Sequence, residues 1–244
     1  MAGKTKIEWT ECSWNPVTGC TKISDGCAHC YASTLTRRLV AMHNPRYING
    51  FDVTVHEDLI ELPKRWKTPR KIFVNSMSDI FHEKVSDEII LRIFKTMNEC
   101  PQHVFQVLTK RPERLAQLNN QINWTNNIWM GVTIESNKYL YRADLLRQCD
   151  AKMKFVSAEP LIGEINDINL SGIDWIIVGG ESGSKARPMN ADWVRSLREK
   201  AYEVGVAFFF KQWGGTVKKK NGRTLDGRTY DEYPIMKKES NDGT

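Results

Sequence analysis

From residue 71 onward the chain repeats one pattern, a short continuously apolar run rich in β-formers followed by a helical stretch. The runs are KIFVN (71–75), VFQVL (104–108), IWMGVTI (128–134), MKFVS (153–157), WIIVGG (175–180) and VAFFFKQW (206–213). Helices are predicted over 86–99, from about Pro112, over 137–148 and over 190–204. Ser86 and Asn190 are suited to cap the first and last of these. Ile89, Ile90, Ile93, Phe94 and Met97 form one stripe at helical spacing. No helix is evident between the fourth and fifth strands. Strands apolar at every position need cover on both faces, which is the situation of a parallel sheet flanked by helices. Six such units predict an α/β fold with a partial or nearly closed (β/α) barrel, an open doubly wound sheet being the alternative.

The strand exits are polar. They carry Asn75, Ser76, Ser78 and Asp79; Thr109, Lys110 and Arg111; Glu135 and Ser136; Glu159; Glu181 and Ser182; Lys211 and Gln212. In a parallel barrel these ends meet at one face, where ligands bind. Clusters that mix acids and bases suit a charged ligand better than simple exits into solvent.

Six cysteines stand at positions 12, 20, 27, 30, 100 and 149. The N-terminus, MAGKTKIEWTE, lacks an apolar signal core, and no apolar run is long enough to cross a bilayer, so a cytoplasmic, reducing location is expected. There a crowded cysteine cluster binds metal more readily than it forms disulfides. Cys20, Cys27 and Cys30 are spaced C-x6-C-x2-C in a glycine-containing loop ahead of a helix from about Ala32. Three thiolates suit a [4Fe–4S] cluster with one iron left free of protein. Zinc held with His29 or Cys12 is the alternative, and Cys12 remains open as a further ligand. Cys100 and Cys149 read as small buried apolar residues.

The formal charge is +6, with 35 Lys and Arg against 29 Asp and Glu. The excess lies largely in KTPRK (67–71), RPER (111–114) and VKKKNGR (217–223). This balance suits a polyanion or a merely solvated basic face equally. Residues 1–215 read as the barrel with its cysteine loop, and 216–244 as a basic C-terminal tail that is either a loose end or a cover over the site.

The stretch KIEWTECSWNPVTGCTKISDGCAHCYA (6–32) resembles the opening of a phage-associated radical S-adenosylmethionine family with an expanded three-cysteine motif. The resemblance continues through VNSMSDIF (74–81), VLTKRPERL (107–115), GVTIES (131–136), SAEPLIG (157–163), GGESG (179–183) and FFFKQWGG (208–215). It extends distantly to the spore photoproduct lyases. It implies a [4Fe–4S] cluster on Cys20, Cys27 and Cys30, S-adenosylmethionine as cofactor, a 5′-deoxyadenosyl radical that abstracts hydrogen, and a flavodoxin-type reductase as electron donor. By the same resemblance Ser78, Asp79, Thr109, Lys110 and Ser136 approach the cofactor, Lys110 being able to pair with its carboxylate. GGES (179–182) looks like the superfamily's Gly-Gly-Glu signature but comes far later in the chain than that signature does. Glu181 is therefore expected to face substrate or ribose.

The implied substrate is DNA or a modified nucleoside, and the implied reaction an isomerisation of an amino-acid-substituted thymine during DNA hypermodification. Glu159, Glu181 and Lys211 are the candidates to grip the substituent, with Arg111 and Trp213 as contacts to phosphate and base. Repair of a thymine lesion is a second reading, and a zinc-stabilised nucleic-acid-binding module a third.

Overall fold

The computed structural model describes residues 2–5 and 7–235. Ten strands are β1 (Ala2–Lys4), β2 (Cys12–Trp14), β3 (Val17–Thr18), β4 (Thr54–Val55), β5 (Lys71–Val74), β6 (Val104–Thr109), β7 (Ile128–Thr133), β8 (Met153–Ala158), β9 (Trp175–Gly179) and β10 (Ala207–Gln212). The helices are α1 (Tyr31–Ala41), α2 (Glu57–Ile60), α3 (Asp87–Asn98), α4 (Pro112–Leu118), α5 (Tyr141–Arg147), α6 (Ala191–Glu203) and α7 (Lys218–Asn221).

One sheet runs in the order β1-β2-β5-β6-β7-β8-β9-β10. Within this sheet every pairing from β2 to β10 is parallel and β1 is antiparallel to β2, while β3 and β4 form a separate antiparallel pair. Seven parallel strands taken in chain order form an α/β half-barrel. All six predicted strands are present, as are helices at the predicted places, with Ser86 accepting from the Ile89 N–H and Asn190 from the Asp192 N–H. The segment between β8 and β9 has no helix.

Alternation along the strands separates two cores. The outward residues, such as Ile72, Val107, Met130, Val156, Val178 and Phe210, join the apolar stripes of the helices in one large cluster. The inward residues Phe73, Trp129, Met153, Phe155, Trp175, Ile177 and Phe209 gather around Trp9 in a second. Trp9 enters from the segment before β2, and its carbonyl accepts from Gln106 Nε2 at 3.2 Å. Gly131 is inward too, and a side chain there would meet the Phe155 ring at 2.5 Å.

The described part of the C-terminal segment packs on the barrel. Phe210 N–H donates to the Tyr230 carbonyl at 2.9 Å, which occupies the free edge of β10 and shields it from further pairing. The segment then crosses the floor, where Trp175 Nε1 donates to the Glu232 carbonyl at 2.8 Å and the Tyr233 ring lies under Lys71 Nζ. The remainder of the predicted basic tail, 236–244, lies outside the described residues. Aromatic side chains thus close the end at which the strands begin, leaving access at the end where they finish.

Candidate functional site

At the open end lies a cavity of about 380 Å³ lined by Cys20, Cys27 and Cys30 together with strand-end residues. All three cysteines are free and half-buried. The loop that carries them begins where Gly19 bridges Ser78, and ends at Cys30, which caps α1. Cys12 sits elsewhere. It is buried at the start of β2, opposite Ile72 and in the outward core, and is not among the residues that line the cavity. Cys100 and Cys149 are buried, as expected. Among the described residues, no three His, Cys, Asp or Glu side chains gather about one point as a single ion requires; in a cubane, each thiolate takes its own iron.

Counting in twos along each strand gives the charged residues of the site. Lys110, Glu135, Glu159, Glu181 and Lys211 are the inward positions at the ends of β6, β7, β8, β9 and β10. Lys110 Nζ lies 3.1 Å from Glu135 Oε1. Lys211 Nζ pairs with Glu159 across the cavity wall. Glu181 is gripped by Arg187, whose Nη2 and Nε stand 2.6 and 2.9 Å from its two oxygens. Burial opposes ionisation of Glu181, yet the Arg187 guanidinium and backbone N–H outweigh it and hold the carboxyl below its usual range. At β10 the register against β9 shifts between Phe210 and Gln212. That bulge lets the consecutive residues Lys211 and Gln212 both line the cavity.

These acids and bases hold the cysteine loop as well as the cavity wall. Glu135 is fully buried, and it accepts from Ser24 Oγ at 2.5 Å and from Arg142 Nη1 at 3.0 Å. Gly26 lies against it so closely that a Cβ would stand 2.5 Å from Glu135 Oε1. Arg187 Nη2 also donates to the Asp25 carbonyl at 3.0 Å. On the other side Arg111 Nη1 lies 3.6 Å from Cys20 Sγ, and its Nη2 donates to the Thr21 carbonyl and hydroxyl. Burial and then the Asp79 carboxylate push the Cys20 thiol up to about 11, against the pull of Arg111. Cys27 moves the other way: burial opposes its ionisation, but Lys110, the Ser24 hydroxyl and backbone N–H groups bring it below the ordinary thiol value.

Several sequence expectations take a different form here. Asp79 is saturated by protein donors: Thr109 Oγ1 at 2.7 Å, Phe81 N–H at 3.0 Å, Lys110 N–H at 3.0 Å and Arg111 Nη1 at 3.1 Å. Ser78 donates to the Val17 carbonyl at 2.9 Å. Ser78, Asp79, Thr109 and Lys110 line the cavity, whereas Ser136 is outside its lining and lies against Gly163. Trp213 is also outside the lining; it stacks edge-on to Phe210 in the outward core and donates to the Thr224 carbonyl. Arg111 is buried against Cys20 and Asp79 rather than presented to solvent. The sequence reading passed over Arg142, Arg187 and the holding role of Glu135. Only Glu135 carried a signal, its even spacing from Trp129.

Residues 4–234 match the model of a family described as protein of unknown function DUF5131. The chain belongs to the DUF5131 family. A search of curated proteins by sequence finds no match for this DUF5131 chain. Among solved structures it is similar to spore photoproduct lyase in three forms. These are a tyrosine-to-phenylalanine variant (12% identity), a cysteine-to-serine variant (14%) and a cysteine-to-alanine variant with dinucleoside spore photoproduct (12%), each at a TM-score of 0.50. Each superposition covers 83% of this chain and 64% of the lyase chain. At such identities the likeness is one of fold, a parallel half-barrel like that of spore photoproduct lyase. Among the described residues no helix is long and apolar enough to cross a membrane.

Proposed function

We propose that this DUF5131 chain is a radical S-adenosylmethionine enzyme. The observation that carries the reading is three free cysteines on one loop, lining a single cavity at the open end of a parallel half-barrel. The donor set fits a [4Fe–4S] cluster, since thiolates are its usual ligands and the three found here leave one iron for a small molecule. The cavity fits a second ligand. Asn75 Nδ2, Gln212 Oε1 and Trp9 Nε1 belong to residues that line it, and each is a buried polar atom without a protein partner. Cys20, Cys27 and Cys30 would hold the cluster, which with S-adenosylmethionine supplies one-electron cleavage and a hydrogen-abstracting radical.

The protein's own part is positioning and exclusion. Lys110, at the cavity edge and able to exchange its Glu135 contact for a ligand carboxylate, is the residue suited to the cofactor's amino-acid end. Asp79 and Thr109 fix the backbone of Lys110 and the side chain of Arg111 instead of touching the ligand. Trp9, Phe73 and Leu108 give the cavity an apolar floor that helps to exclude water from it.

For the substrate we favour a modified thymidine, in DNA or as a nucleoside, whose amino-acid substituent is rearranged on the thymine methyl. The net charge of +6 suits a polyanion, and the Lys211–Glu159 pair offers one site of each sign to an ammonium and a carboxylate. An isomerisation conserves atoms. Digestion of treated DNA that carries such a base should therefore yield a nucleoside of unchanged mass and altered retention. A nucleoside profile identical to that of untreated DNA, from enzyme that cleaves S-adenosylmethionine, would exclude this substrate.

A further inference from the structure

We infer that Arg111 sets the reduction potential of the cluster through a charge-assisted hydrogen bond to the Cys20 thiolate. The inference rests on the cluster assignment above and goes beyond it. Arg111 reaches the sulfur of a cavity-lining cysteine, Nη1 standing 3.6 Å from Cys20 Sγ. Its side chain is 9% exposed, so the guanidinium acts where water screens it little. Its orientation is fixed by every nitrogen. Nε donates to Glu83 at 3.2 Å, Nη1 also reaches Asp79 at 3.1 Å, and Nη2 donates to the Thr21 carbonyl at 3.3 Å and hydroxyl at 3.0 Å. Thr109 Oγ1 accepts from the Arg111 N–H, tying the backbone to the same network.

Three cysteines thus have three different surroundings. Cys20 accepts from a guanidinium fixed at every nitrogen, Cys27 faces the Ser24 hydroxyl at 3.5 Å with the Lys110 ammonium nearby, and Cys30 heads α1. Reducing a cluster adds negative charge to its thiolates, and hydrogen bonds and positive charge at the sulfurs favour that state. Arg111 is a positioning and tuning residue, because it acts through Cys20. Removing it deletes a donor to the sulfur and leaves Asp79 unneutralised beside it. Both changes drive the potential down.

The test is an anaerobic redox titration of the reconstituted cluster, followed by electron paramagnetic resonance. Arg111→Gln should lower the ratio of reduced to oxidised cluster at the wild-type midpoint at least tenfold, which corresponds to about 59 mV for a one-electron couple. Glu83→Gln keeps an acceptor for Nε and touches no thiolate, and should titrate close to wild type. An Arg111→Gln cluster with the wild-type midpoint overturns the inference while leaving the cluster assignment intact; wild-type protein that assembles no cluster defeats the assignment itself. Pulsed resonance on reduced wild-type protein labelled with ¹⁵N-arginine avoids any folding defect of the variant. A guanidinium nitrogen coupled to the cluster is expected, and the absence of any such coupling contradicts the hydrogen bond.

Discussion

Gly26 shows how tightly the cysteine loop is fitted to the barrel. A methyl group there would stand 2.5 Å from Glu135 Oε1, and Glu135 cannot retreat because Arg142, Lys110 and Ser24 hold it. Gly26→Ala should therefore displace the loop, with iron bound after reconstitution falling to a small fraction of the wild-type amount. Cys12 provides the contrast. Cys12→Ala removes a buried sulfur outside the cavity lining, so it should cost about 1 kcal/mol in urea unfolding and leave iron content unchanged; Cys27→Ala should lose the cluster. That the three cysteines share one cavity was legible because they sit within eleven residues of one another on one loop. The sequence did not reveal Arg142 or Arg187, since an arginine that clamps a loop is spaced in the chain like any solvated one. Ser136 stands outside the cavity lining: even steps from Trp129 pass through Gly131 and Thr133 to Glu135, and Ser136 follows beyond the end of β7 at Thr133.

At the scale of strands and helices, continuous apolarity was sufficient. Residues such as Ile176 and Ile177 must both be buried, one against helices and one inside the half-barrel, and only a doubly covered sheet does this. The first parallel strand escaped notice because Cys12–Trp14 is three residues long, too short for a period to show. The interior packing predicts where the barrel is weakest. Trp175 contacts Trp9, Trp129, Phe155, Phe209 and Tyr233, joining the floor to the C-terminal segment. Trp175→Ala should cost about 3–5 kcal/mol in chemical unfolding. Ser86→Ala, which removes only the cap of α3, should cost about 1 kcal/mol.

For the molecule as a whole, three buried histidines govern the response to acid. His56, His82 and His103 are all held below the ordinary 6.5, burial being the largest cause in each, with Arg46 and Arg111 adding to it at His56 and His82. The unfolded chain therefore binds more protons than the native one between those lowered values and 6.5. Stability is full above pH 6.5 and declines as the pH falls through that window. Unfolding free energies measured from pH 7.5 down to pH 5 should decrease, with net proton uptake on unfolding; a flat profile would contradict the burial of these rings. The same global view explains the division of the fold, with aromatic side chains sealing one end and paired charges ringing the other. The central claim is that the charged end holds a cluster able to cleave S-adenosylmethionine. Anaerobic reconstitution with iron and sulfide, followed by reductant and S-adenosylmethionine, tests it directly. The account predicts brown protein with close to four irons per chain that forms 5′-deoxyadenosine, and loses both properties in Cys20→Ala, Cys27→Ala and Cys30→Ala. Colourless protein that retains stoichiometric zinc and forms no 5′-deoxyadenosine would contradict it.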